Sequence, residues 1–151
     1  MNTPPFSLHN TTLSDAVSLA QMNQQLIKDQ QSRNPMTLSE LEERMKRWLQ
    51  GDWCAIIIQQ ENNPIGYLLY REETDDYFPE KKIIYIKQFF INTEKRNLGI
   101  GKSVFKKLQH EIFKNTEFMI DVLSINEEAT NFWKSIGFAP YSLCMKLTNH
   151  S

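Results

Sequence analysis

A mixed α+β domain is the fold class that this chain predicts, on three observations. Helix-period apolar stripes are interspersed with short β-branched runs, their order is mixed rather than a strict strand-helix alternation, and no repeat, linker or low-complexity tract interrupts them. At 151 residues, with 40% apolar and 23% charged residues, the chain fits a single domain over residues 1–151. Such a domain buries about two-thirds of its unfolded surface and needs no disulfide or metal staple.

Phe6 to His9 is a strand-like start. Leu13, Ala16, Val17, Ala20 and Ile27 then recur at three- and four-residue spacing, which predicts a first helix of about four turns. Asn34-Pro35 breaks the chain, and Thr37-Leu38-Ser39-Glu40 has the capping-box form that starts a second helix with Leu38, Leu41, Met45, Trp48 and Leu49 on its buried face. Gly51, tolerant of positive φ, is expected to end it. Cys54 to Ile58 and Ile65 to Tyr70 are apolar runs separated by the turn sequence Glu61-Asn62-Asn63-Pro64, which predicts two antiparallel strands. After an acidic loop, Glu72 to Glu80, the run Ile83 to Ile91 is too uniformly β-branched and aromatic for a helix and is taken as the central strand. Ile100, Val104, Leu108 and Ile112 form the stripe of a third helix. Phe118 to Leu123 is a fifth strand. Asn126 then caps a fourth helix, with Ala129, Phe132, Trp133 and Ile136 on one face and Gly137 closing it. Phe138 to Leu147 is expected to supply one or two final strands. The predicted order is β-α-α-β-β-β-α-β-α-β-β, six to seven strands with four helices.

Composition excludes several function classes. Seventeen Lys and Arg against 18 Asp and Glu give a formal net charge of -1, which argues against nucleic acid as a partner, because that affinity rests on clustered cations. The two cysteines, Cys54 and Cys144, lie far apart in apolar runs and are read as small buried residues, with no metal site suggested. Met1 to Ser7 lacks a leader pattern, and no stretch approaches the roughly 18 apolar residues of a membrane span, so a cytoplasmic location is expected. His9, His110 and His150 are isolated and are read as surface residues.

The informative stretch is Arg96-Asn97-Leu98-Gly99-Ile100-Gly101-Lys102, between the central strand and the third helix. Main-chain N–H groups at a helix start have no intrahelical partner and sit at the positive end of the helix dipole, and glycines let a phosphate approach them. Gly101-Lys102-Ser103 superficially resembles a nucleoside-triphosphate loop, but Arg96 stands where that motif requires its first glycine. A dinucleotide fingerprint fails because Val104 stands where the third glycine or alanine belongs.

The stretch fits an Arg/Gln-x-x-Gly-x-Gly/Ala signature, and Asn126-Glu127-Glu128-Ala129 through Phe132-Trp133 to Gly137-Phe138 fits a second block, Asn-x-x-Ala-x-x-Phe-Tyr-x-x-x-Gly-Phe. With both blocks at this separation the chain resembles the GNAT superfamily of N-acetyltransferases, whose fold is a mostly antiparallel sheet flanked by helices. The resemblance covers roughly residues 83 to 138.

The resemblance implies acetyl-CoA as donor, held at its pyrophosphate by Arg96, Asn97, Leu98, Gly99, Ile100, Gly101 and Lys102. Main-chain groups of Phe90 and Ile91 would pair with the pantetheine arm like an added strand, and Asn126 and Phe132 would flank the arm. It implies direct attack by a small-molecule or peptide amine on the thioester, with the Ile91 N–H facing the developing oxyanion. The acceptor cleft would be built from the Asp29 to Met36 loop, the third and fourth strands and the Tyr141 loop.

The family pattern breaks in two places. Many relatives carry a carboxylate on the central strand, where this chain has Lys87 and Gln88; Asp29, Glu72 and Glu73 are then the candidate bases by topology. Trp133 replaces a tyrosine that would return a proton to the thiolate, and indole cannot act as that acid, which leaves Tyr141 as substitute. These departures keep open a catalytically silent acyl-CoA-binding module. A monomer or a homodimer is compatible with the sequence, and no metal is expected.

Overall fold

The computed structural model describes residues 5–149. The chain falls into two compact units, Met1–Asp121 and Val122–Ser151. The first contains β1 (Ser7–Asn10), α1 (Ala16–Asp29), α2 (Leu38–Gln50), β2 (Cys54–Gln60), β3 (Asn63–Thr74), β4 (Lys82–Ile91), α3 (Ile100–Lys107) and β5 (Thr116–Ile120). Its five strands form one sheet in the order β1-β2-β3-β4-β5. The first three pairings are antiparallel and β4 with β5 is parallel, as a pair joined through a crossover helix must be.

Local chemistry sets the element ends. Thr37 Oγ1 accepts from the Glu40 N–H at 3.2 Å while Glu40 Oε1 accepts from the Thr37 N–H at 2.9 Å, the reciprocal capping that starts α2. Glu61 and Asn62 both adopt positive φ, 49° and 66°, which gives a two-residue hairpin turn whose twist matches the β2–β3 pair. Gly51 does end α2, but at φ -100° rather than in the expected left-handed conformation.

One face of the sheet packs on α1 and α2: Leu19, Leu26 and Met45 bury against Ala55, Ile57, Tyr67, Leu69 and Phe90. On the other face the Phe89 ring meets Phe105 of α3 at 6.4 Å, and Phe105 meets Phe118 of β5 at 5.0 Å. Ile100, Val104 and Leu108 of the predicted stripe are buried, each worth about 1.5–3 kcal/mol. Ile112 is exposed, because the chain widens into a π-helical turn over Leu108–Ile112 and the stripe loses its phase. Leu13, Val17 and Leu38 are also exposed; Leu13 sits in a 3-10 turn ahead of α1, out of phase with it. Cys54 and Cys144 are exposed rather than buried, Cys54 because it opens β2 ahead of the buried run 55–58.

In the second unit, α4 (Glu127–Ser135) is capped by Asn126, whose Oδ1 accepts the Ala129 N–H at 3.0 Å. Gly137 closes it at φ 111°, and the Trp133 ring meets those of Phe132 and Phe138, each at 5.1 Å. Phe138 to Leu147 carries no strand. The sheet therefore has five strands among the described residues, not six to seven. Tyr141, Leu143, Met145 and Leu147 alternate as a strand face would, yet they stand exposed; alternation alone makes no strand without a ladder partner.

Candidate active site

The geometry of the site begins at a defect in β4. On β3, Leu69 faces Gln88 and Tyr70 faces Ile86, which leaves Lys87 as an extra residue on β4, a β-bulge. The bulge changes parity. Tyr85 and Lys87 face the α1–α2 side before it, with Lys87 Nζ 5.2 Å and 4.8 Å from the Trp48 and Trp53 ring centres; Gln88 and Phe90 face that side after it. The pairing of β4 with β5 stops at Ile86 and Ile120, while β4 runs on to Ile91. Residues 87–91 thus have no strand beside them on the β5 side among the described residues.

The main chain past the bulge is turned two ways. The Asn92 N–H donates to the Ile65 carbonyl at 2.7 Å, and the Phe90 carbonyl points at Gly66 of β3. Successive residues of a strand turn their main-chain groups to opposite edges. Ile91 accordingly faces the unpaired edge, where its carbonyl accepts from Arg96 Nε at 2.8 Å.

The loop that follows carries alternating left-handed residues, Asn97 at φ 63° and Gly99 at φ 77°; Asn and Gly are the residue types that tolerate this conformation. Gly99 is the N-cap of α3 and supplies no side-chain cap. The N–H groups of Ile100, Gly101 and Lys102 therefore start α3 without an intrahelical partner, Ser103 being the first to bond back, to the Gly99 carbonyl at 3.0 Å. Asn97, Leu98 and Gly99 are exposed and Arg96 is half-buried.

Arg96 ties this loop to α1. Its Nη2 lies 2.5 Å from Asp29 Oδ2, and Gln25 Nε2 donates to Asp29 Oδ1 at 2.8 Å. Burial pushes the Asp29 carboxyl up, but hydrogen bonds from Gln25, Arg96 and Thr93 and the Arg96 charge together hold it below its ordinary value.

A polar and aromatic patch occupies the α1–α2 side of β4. The Tyr67 hydroxyl, fully buried, donates to Gln88 Oε1 at 2.8 Å, and burial raises its pKa far above the phenol range. Arg44 Nη2 donates to the buried Asn23 Oδ1 at 3.0 Å and its guanidinium lies 4.3 Å over the Trp48 ring. Arg71 lies 4.6 Å over Trp53 and pairs with Glu73 at 2.5 Å. The Tyr85 hydroxyl donates to Asp121, and that bond, with burial, pushes its pKa up to about 12. The Lys87 ammonium is shifted down, first by burial and then by the Arg44 and Arg71 charges, against a smaller pull from Asp121. Sequence reasoning missed Asn23, Arg44, Tyr67 and Arg71. The one signal for the patch was the polar pair Lys87-Gln88 inside an apolar strand.

Glu72 and Glu73 do not lie in a loop after β3: both are within that strand and both are ion-paired, Glu72 to Lys82 at 3.2 Å and Glu73 to Arg71. Asn126, Phe132 and the exposed Tyr141 belong to the second unit. His9 and His110 are exposed, and His150 lies outside the described residues. Among the described residues no group of three or more His, Cys, Asp or Glu side chains is placed to hold a metal ion, and no helix is long and apolar enough to cross a membrane.

Comparison with known proteins bears on this arrangement. A model of the Acetyltransferase (GNAT) family matches residues 22–138. A possible acetyltransferase from Clostridium difficile 630 superposes with a TM-score of 0.78 at 16% identity, over 96% of this chain and 99% of that one. An aminoglycoside acetyltransferase from an uncultured soil metagenomic sample, solved in complex with sisomicin, gives 0.74 at 17% identity over 97% of each chain. A ribosomal-protein-alanine N-acetyltransferase from Brucella melitensis biovar Abortus 2308 gives 0.70 at 12% identity, over 95% of this chain and 100% of that one. At such identities the likeness is one of fold. No curated protein matches by sequence.

Proposed function

The chain belongs to the GNAT acetyltransferase family, and from that premise we propose that it transfers the acetyl group of acetyl-CoA to an amine of a small molecule or peptide by direct attack on the thioester. The observation that carries this reading is the unpaired edge of β4 from Lys87 to Ile91, which leads straight into the glycine loop at the start of α3. An extended pantetheine arm fits beside such an edge as an added strand, and the diphosphate at its end meets the free N–H groups of Ile100, Gly101 and Lys102, with Arg96, Asn97, Leu98 and Gly99 around it. Of the two main-chain candidates, Ile91 is the better placed, since Phe90 spends its carbonyl side on β3. The Ile91 N–H is the donor assigned to the arm or to the carbonyl oxygen as charge develops there. Asn126 and Phe132 flank the arm by resemblance.

An alkyl amine is protonated at neutral pH and must lose a proton before it attacks. Asp29 is a weak base when held by Arg96, and Glu72 and Glu73 are engaged in ion pairs. A water relay is therefore assigned to the first proton, with Asp29 kept as the side-chain candidate. The departing thiolate has an ordinary pKa of about 8.5 and is a tolerable leaving group; Tyr141 or solvent returns its proton.

The test is release of free thiol from acetyl-CoA across a panel of amines, beside calorimetric titration of acetyl-CoA alone. Micromolar binding with turnover on at least one amine supports the enzyme. A second reading, a silent acyl-CoA-binding module, draws on the absence of any Asp or Glu from Ile83 to Ile91 and on Trp133; binding without turnover on every amine would favour it.

A further inference from the structure

We propose that the acceptor amine carries an anionic group, carboxylate or phosphate, which seats among Arg44, Lys87 and the rings of Trp48 and Trp53 on the α1–α2 side of β4. The proposal rests on the reading of the chain as an amine acetyltransferase, takes this side of β4 as the amine cleft, and narrows the substrate class. Two cations there lack an ion-pair partner: among the described residues no ion pair includes Arg44 or Lys87. Of the carboxylates in the neighbourhood, Glu73 is paired with Arg71, while Asp121 accepts from the Tyr85 hydroxyl and exerts only the smallest of the pulls on Lys87.

A buried donor points the same way. Arg44 Nε is buried with no acceptor. A guanidinium donates and never accepts, so Asn23 must turn its oxygen to Arg44 Nη2 and its nitrogen away. An unpartnered donor costs free energy unless an acceptor atom arrives, and an oxyanion supplies acceptor atoms alone. Trp48 and Trp53 hold the cations in place from below, at 4.3 Å for Arg44 and 4.8 Å for Lys87, a stacking that fixes their heads while leaving N–H groups for a ligand.

Position completes the case. Lys87 is the bulge residue, the first past the point where β4 and β5 part. An anion held there keeps the amine of the same small molecule beside the unpaired edge of β4. A polycation such as an aminoglycoside would meet Arg44, Arg71 and Lys87 with like charge.

Matched pairs of amines test this: an α-amino acid against its decarboxylated amine, phosphoethanolamine against ethanolamine, and an aminoglycoside as the polycation. Each is titrated calorimetrically without acetyl-CoA and then assayed for thiol release. The expected result is at least tenfold tighter binding for the anionic member of one pair, which also separates carboxylate from phosphate. Lys87→Gln, a substitution at an exposed residue, should raise the KM of the anion-bearing amine about tenfold, leave kcat within about twofold, and fail to raise the KM of the partner that lacks the anion; its thermal midpoint verifies folding. Equal affinity within both pairs, preference for the aminoglycoside, or indifference to Lys87→Gln would overturn the proposal. Anion-dependent binding without thiol release leaves this proposal standing and removes the catalytic one; turnover without anion preference does the reverse.

Discussion

The glycine loop after β4 and the cation-aromatic patch on its α1–α2 side hang on the same strand but are built in opposite ways. The loop is consecutive main chain: Arg96 to Lys102, two left-handed residues, and N–H groups that α3 leaves unpaired. The patch is side chains from α1, α2, β3, β4 and the residue just before β2, held by burial and stacking. A backbone site of the first kind recognises a group common to every donor molecule, whereas a side-chain site of the second kind is free to differ between relatives of one fold. The bulge at Lys87 joins the two, since it lies where the β4–β5 pairing stops and sets which side chains reach the patch.

Gly66→Ala should break both regions at once. A methyl group at Gly66 would stand 2.2 Å from the Phe90 carbonyl oxygen, with Ile91 Cδ1 at 3.1 Å and Ile58 Cδ1 at 3.2 Å. β3 and β4 would have to separate, at a cost of about 1–3 kcal/mol. Urea denaturation should show that loss together with weaker binding of both acetyl-CoA and amine; an unchanged midpoint would contradict the close approach. Gly99→Val should separate the regions instead. A β-branched residue at φ 77° is strained by about 1–2 kcal/mol, and losing one charge-assisted contact to the diphosphate costs about 1.5–3 kcal/mol, or ten- to a hundredfold in affinity. Calorimetry should show that loss for acetyl-CoA, with amine binding unaltered.

A smaller effect is expected on the other side. Tyr67→Phe removes the hydroxyl that donates to Gln88 Oε1 and should cost about 1 kcal/mol, since half-buried Gln88 regains part of the bond from water. Amine KM should rise severalfold and acetyl-CoA affinity should hold. A change in acetyl-CoA affinity equal to that in amine KM would show that the regions are not separable.

The same contrast explains what the sequence disclosed. Glycine spacing, the Thr37–Glu40 capping box and the Glu61–Asn62 turn are local, because each is a demand that a few adjacent residues place on φ or on an unpaired N–H. The loop was therefore readable, as was the succession of helices and strands through α4. The bulge at Lys87 was not, because it arises from a mismatch between two strands rather than from either one. Asn23, Arg44, Tyr67 and Gln88 are scattered over 66 positions of sequence and meet only through the fold. Periodicity also overstated burial, since it marks an apolar face without saying whether anything covers it: Leu13, Val17 and Leu38 are exposed, and the alternating Tyr141, Leu143, Met145 and Leu147 form no strand.

Asp29 provides the finest discrimination, because two roles for it predict different measurements. As a base it would be the group whose protonation stops the reaction, so Asp29→Asn should cut kcat by about a hundredfold or more. As the anchor of Arg96 it shapes the loop, and the same substitution should raise the acetyl-CoA KM by less than about tenfold while kcat holds. The geometry favours the anchor, since Arg96 Nη2 sits 2.5 Å away and Gln25 and Thr93 also donate to the carboxylate. A carboxyl held below 3.8 in the fold contributes stability that is fully present above its unfolded pKa and is lost as pH falls through the folded value. The pair is partly solvated, so the contribution stays within about 1 kcal/mol. Wild type and Asp29→Asn should accordingly differ slightly in thermal midpoint at pH 7 and converge below about pH 3.8. A kcat that collapses in Asp29→Asn at pH 7, with acetyl-CoA affinity intact, would move Asp29 from anchor to base.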